Sequence, residues 1–180
     1  LALLVWDIFT GGLGIDPVRD IEHRLGRTAL YFVIGSLCFT PALRLFRINL
    51  VKFRRPVGLV AFSYAALHFA TWIVLDMGFL WSQIVADIVK RPYLILGMIA
   101  LTILTVMAVT SGNRVLRKLG PVRWRRIHRM IYAAAPIAVL HWLISHKIWP
   151  VWGITMGTAV LLLLALRVPV IQTNLRKLVS

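Results

Sequence analysis

The apolar residues of this chain come in long uncharged blocks. Four of them, 56–75, 92–113, 130–146 and 148–166, reach the roughly 17 to 25 residues that a helix needs to cross a bilayer. A fifth, 28–43, is shorter but extends on both sides to 25–45. The opening LALLVWDIFTGG reads as the tail of another apolar helix, with the N-terminus expected further upstream. The pattern predicts five complete spans plus the end of a first one. Between them, GGLGIDPVRDIEHRLGR carries Gly and Pro turn signals and reads as a loop. In FLWSQIVADIVKR (79–91), apolar residues recur at roughly helical spacing around Gln83, Asp87 and Lys90, which predicts a short helix lying in the membrane interface. Gly153 and Gly157 form one GxxxG pattern, a device for close helix packing.

Composition agrees: 59% of the 180 residues are hydrophobic, with a mean hydropathy of +0.82. The formal charge of +15 would suit a nucleic-acid binder, but its distribution says otherwise. Connector 44–55 (Arg44, Arg47, Lys52, Arg54, Arg55), connector 114–129 and the tail (Arg167, Arg176, Lys177) hold bases and no acid. All 6 acids fall near the opposite ends of the spans. This is the positive-inside pattern of an integral membrane protein, with the basic face and both termini cytoplasmic. It explains the charge without nucleic acid, and leaves lipid or an acidic partner as what the basic face attracts. Cys38, the only cysteine, excludes a disulfide framework or an all-cysteine metal site.

Two histidines stand inside uncharged blocks, His68 in 56–75 and His141 in 130–146. An ionisable residue at membrane depth is a functional-site candidate. From helix rise, His68 lies about 18 Å beyond Pro56 and His141 about 22 Å beyond Arg126. Both fall in the outer half of a core about 30 Å thick. Level histidines on the third and fifth spans predict the two axial ligands of one haem, an arrangement suited to electron transfer. His128, at the cytoplasmic edge, is a candidate ligand for a second, inner haem or else an interfacial side chain. His23 and His146 read as interfacial, Trp72 and Trp142 as belt residues or haem-packing groups, and Arg91 and Lys147 as anchors or partners of haem propionates.

The runs DPVRDIEHRLGRTAL, TPALRL, RRPVGLVAFSYAALH, KRPYLILG and the later TS…RKLG…W…H…Y resemble the MsrQ family. These are haem-binding membrane subunits of the bacterial periplasmic protein-methionine-sulfoxide reductase system, within the ferric-reductase-like transmembrane group. The resemblance extends over all 180 residues and implies a single domain, 1–180. It implies a six-helix inner-membrane bundle with haem b, one or two per chain, between helices three and five, and FMN as a further cofactor. His68, His128 and His141 match the family's haem-associated histidines. Electrons would arrive from quinol or a cytosolic flavin reductase and leave to a periplasmic molybdopterin subunit, so the chain itself would not be the catalytic reductase. The competing readings are a metal-ion or proton transporter using the same histidines, a conduit to another acceptor, and a cofactor-free anchor. The transporter is disfavoured because the carboxylates lie at the outer ends rather than at mid-membrane.

Overall fold

A computed structural model describes residues 1–167; the tail bases Arg176 and Lys177 lie outside the described residues. The described chain is helical throughout, in the order α1 (Ala2–Thr10), α2 (Pro17–Phe46), α3 (Arg54–Thr71), α4 (Trp81–Lys90), α5 (Pro92–Val109), α6 (Asn113–His128), α7 (Ile131–Ile144) and α8 (Val151–Ala165). Four stretches are long and apolar enough to cross a membrane: Pro17–Phe46, Val51–Asp76, Pro92–Val109 and Asn113–Ile144. With 15 residues, α8 is equally apolar but shorter, and α1 has 9. The chain is therefore an all-α, multi-span membrane protein.

The helices end where local chemistry ends them. The Asp16 side chain accepts from the Arg19 N–H, and Pro17 opens α2 at a position where its missing N–H costs nothing. The Arg24–Asp20 ion pair, one turn apart, supports the first polar turns, and Arg24 also reaches Asp7 on α1. For this reason α2 starts at Pro17, inside the segment whose turn residues read as a loop. The basic connector 114–129 is likewise helical as α6, broken at Gly120 (φ 73°) before Pro121. A turn at Arg129–Met130 then leads into α7. Beyond His68, α3 continues through one wide π-type turn, Trp72–Asp76, a local irregularity that often marks functional sites.

The core is formed by α2, α3, α5, α7 and α8 around Leu30, Val33, Leu37, Ala61, Leu104, Ala135, Val139 and Val160. Large apolar side chains such as Ile99, Val109, Leu161 and Leu162 remain on the outside, as they should where the surrounding solvent is lipid. The short helix expected within 79–91 is present as α4, which buries Ile84 and leaves most of its surface open. The bundle has an acidic end, where Asp16, Glu22 and Asp76 surround a cavity, and a basic end carrying the arginines of connector 44–55 and α6.

Candidate functional site

His68 on α3 and His141 on α7 face each other across the bundle, ring centres 6.3 Å apart. Each ring is fixed by its Nδ1. His68 Nδ1–H donates to the Glu22 carbonyl on α2 at 2.9 Å, and His141 Nδ1–H donates to the Tyr93 carbonyl on α5 at 2.7 Å. A carbonyl can only accept, so both neutral rings carry their proton on Nδ1 and leave the Nε2 lone pair available. Neither Nε2 has a hydrogen-bond partner among the described residues. Both rings line one cavity of about 560 Å³.

The two anchors share a local design. Each carbonyl stands four residues before a glycine, Glu22 before Gly26 and Tyr93 before Gly97. In a helix that carbonyl already accepts from the glycine's N–H. Its second lone pair becomes reachable only when nothing projects from the glycine. A Cβ built on Gly97 would lie 2.8 Å from His141 Cε1 and Nδ1, and one built on Gly26 would lie 3.3 Å from the same atoms of His68. Nothing in the apolar pattern singles out these glycines as part of the site. Their signal is no more than a glycine inside an otherwise continuous helical pattern.

The rest of the cavity suits a flat, largely apolar group. Small residues (Ala29, Ala65, Ala100, Ala138) and larger apolar ones (Leu30, Val33, Leu101, Leu104) form the walls, and Trp72 and Trp142 both contribute. An imidazole nitrogen ligates a metal at about 2 Å with its ring centre roughly 1 Å behind, so two imidazoles on opposite sides of one ion stand about 6 Å apart. The observed spacing matches, and with two free Nε2 lone pairs the residues fit a haem. At the mouth, Arg19, His23, Arg91 and His146 mingle with Asp16, Glu22 and Asp76. His23 and His146, expected at the interface, touch edge to face at 5.5 Å and are half-buried. Arg91 lines the cavity and pairs with Asp87 at 3.2 Å, whereas Lys147 does not line it.

His128 stands apart from this group. It closes α6, stacked on Trp124 with ring centres 3.9 Å apart. Its Nδ1–H donates to the Trp124 carbonyl at 3.1 Å, and its Nε2 lies 3.3 Å from the Ser111 hydroxyl. Trp124 in turn donates to the Thr110 carbonyl. These contacts tie the end of α5 to α6, and no second histidine faces His128 among the described residues.

Residues 25–139 match the family described as ferric reductase like transmembrane component. The chain is also 44% identical, over 175 residues, to the protein-methionine-sulfoxide reductase heme-binding subunit MsrQ of Brucella ovis, and equally to those of Brucella canis and Brucella suis. Each alignment covers 94% of this chain and 79% of the relative. No solved structure matches. With the family match spanning more than half of the chain and such relatives aligned along nearly all of it, the chain belongs to the MsrQ family within the ferric-reductase-like transmembrane proteins.

Proposed function

We propose that this chain carries electrons through the bacterial inner membrane on a b-type haem held by His68 and His141. Its acceptor is a periplasmic molybdopterin subunit that reduces methionine sulfoxide in oxidised envelope proteins, and its donor is quinol or a cytosolic flavin reductase. On this reading the chain is the electron-transfer subunit of the repair system, not its catalytic reductase, and residues 1–180 act as one haem-binding domain. The observation that carries the proposal is the pair of opposed imidazoles, each with Nδ1–H tied to a backbone carbonyl and Nε2 free. Bound haem supplies a one-electron ferric–ferrous couple. The protein contributes ring orientation, a ligand tautomer fixed in advance, and apolar walls that keep water away.

The site lies at the acidic end, beside Glu22 and Asp76. By the positive-inside rule that end is periplasmic and the basic end, with both termini, cytoplasmic. The haem edge is then close to the acceptor, with segments 12–24 and 79–91 as the docking surface. The cytoplasmic half of the membrane needs a second carrier: an inner haem at His128, FMN, or quinol bound within the membrane. The first two follow from family resemblance.

An oxidised-versus-reduced optical spectrum of the detergent-purified protein, with haem quantified per chain, tests this reading. A low-spin b-type spectrum is expected. Protein that stays colourless after expression with ample haem would sink the electron-conduit reading and revive the transporter or the anchor. His128→Ala is expected to leave the outer haem's spectrum unchanged while slowing reduction by a membrane-soluble quinol or lowering total haem. Loss of the His68–His141 spectrum in that variant would contradict the separation of the two sites.

A further inference from the structure

Three of the four buried side-chain nitrogens and oxygens that lack a hydrogen-bond partner in the described structure belong to two arginines at the basic end: Arg167 Nε, Arg167 Nη1 and Arg55 Nη2. Unpaired buried polar atoms are uncommon in native proteins and call for an explanation such as a bound ligand. Arg167 is held in place from two sides. Its Nη2 donates to the Leu37 carbonyl on α2, and its guanidinium lies over the Tyr132 ring at 4.5 Å. The Leu37 carbonyl is available because the residue four positions on is Pro41, which has no N–H to close the helical bond. Pro41, Leu37 and Tyr132 thus position the head group, while its Nε and Nη1 have no hydrogen-bond partner among the described residues.

The charges nearby do not neutralise it. Arg54 and Arg44 stand close enough to oppose its charge, in addition to the cost of its burial. No acid lies at this end of the described bundle, since Asp7, Asp16, Asp20, Glu22, Asp76 and Asp87 are all near the other. Arg55 repeats the situation on α3, with Nη1 donating to Asn113 Oδ1 at 2.6 Å and Nη2 unused. A fixed guanidinium with spare N–H groups among like charges is an anion site, and its planar fork fits a phosphate.

We infer that Arg167, with Arg54 and Arg44, binds the phosphate of an anionic phospholipid at the basic end of the bundle. The lipid source follows from the surroundings. Leu43 and Phe46 on α2 and Leu161 and Leu162 on α8 expose apolar side chains on the helices that flank Arg167. Acyl chains can lie against them while the headgroup reaches the guanidinium. Basic recesses between membrane helices are suited to such headgroups. The site is independent of the histidine pair and stands whether or not haem binds there.

Native mass spectrometry of the detergent-purified chain, titrated with phosphatidylglycerol or with zwitterionic phosphatidylcholine, tests the inference. Wild type should retain one phosphatidylglycerol in preference to phosphatidylcholine. Arg167→Gln should weaken that binding on the order of tenfold or more, as expected for losing charge-assisted hydrogen bonds. Arg117→Gln, on an exposed base of α6, should leave it unchanged. Equal binding by wild type and Arg167→Gln, or equal losses at Arg167 and Arg117, would overturn the inference. If Arg167→Gln does not fold, Arg54→Gln takes its place, with the same expectation and the same overturning result. Inorganic phosphate and FMN are added in separate arms, first without lipid and then against bound phosphatidylglycerol. Neither should occupy the site at micromolar concentration, and competition by either with phosphatidylglycerol would overturn the lipid assignment in favour of a soluble phosphate.

Discussion

Replacing either His68 or His141 by alanine should empty the cavity of low-spin haem. On the proposed ligation, each substitution would remove one of the two imidazole nitrogens that would hold the haem iron, so the effects should be equal in kind although the two histidines sit on different helices. The hydrogen bonds lost with the rings, His68 to Glu22 and His141 to Tyr93, contribute only about 1 kcal/mol each to folding. The apoprotein should therefore still fold, and haem loss should not be a by-product of misfolding. Haem per chain measured beside a thermal melt separates the two effects: haem falls to background while the melt of the haem-free protein stays near that of wild-type apoprotein. Free imidazole should partly restore a low-spin spectrum in each variant, because the substitution leaves a space of the right shape beside an intact partner ligand. A variant that keeps its full haem with an unaltered spectrum would eliminate that histidine as a ligand.

The parts of this structure that were legible in the sequence are those that depend on composition over a window. Uncharged blocks marked α3, α5, α7 and α8, and the two histidines were conspicuous because a polar ring inside such a block needs a reason. Estimating their depth from helix rise was enough to place them level. Segments whose local chemistry points two ways were read less well. Residues 17–24 contain turn-forming and charged residues, yet the Asp16 cap and the Asp20–Arg24 pair make them the first turns of α2. The many bases of α6 hid its helicity, and the break at Gly120 was visible only as a Gly–Pro pair. The backbone acceptors were not legible at all. Glu22 and Tyr93 matter through their carbonyls, not their side chains, and Leu37 matters because Pro41 follows it by one turn. In each case a helix carbonyl becomes available through the residue four positions later, either a glycine that leaves the approach open or a proline that leaves the bond unmade. The offset is local, but which side chain arrives from another helix is decided only by packing.

Glycine-to-alanine substitutions test that account, because two effects predict opposite signs. On helix propensity alone, alanine in place of an interior glycine stabilises by about 1 kcal/mol. On packing, the outcome depends on what the new methyl meets. At Gly58 on α3 it meets nothing within 4 Å, so Gly58→Ala should be neutral or stabilising. At Gly26 the His68 ring is 3.3 Å away and must give slightly. At Gly97 the His141 ring is 2.8 Å away and must move, which opens the Nδ1–Tyr93 bond and tilts the ring. At Gly153 on α8 the methyl would fall 1.6 Å from Trp142 Cζ3 and 2.3 Å from Cη2, so the indole that packs between α7 and α8 has to leave. Overpacking of this kind costs about 1 to 3 kcal/mol where neighbours can relax, and at Gly153 the rigid ring leaves little room to relax. Gly97→Ala should therefore act mainly on the haem, with reduced occupancy and an altered spectrum but a modest change in melting. Gly153→Ala should act mainly on the fold, with the largest loss of thermal stability of the four. The GxxxG pattern around Gly153 was a weak hint in the sequence; its physical content is this contact with Trp142, the residue next to His141. If Gly97→Ala and Gly58→Ala bind haem equally well, His141 does not need the open face of α5, and the glycine–carbonyl anchor is wrong.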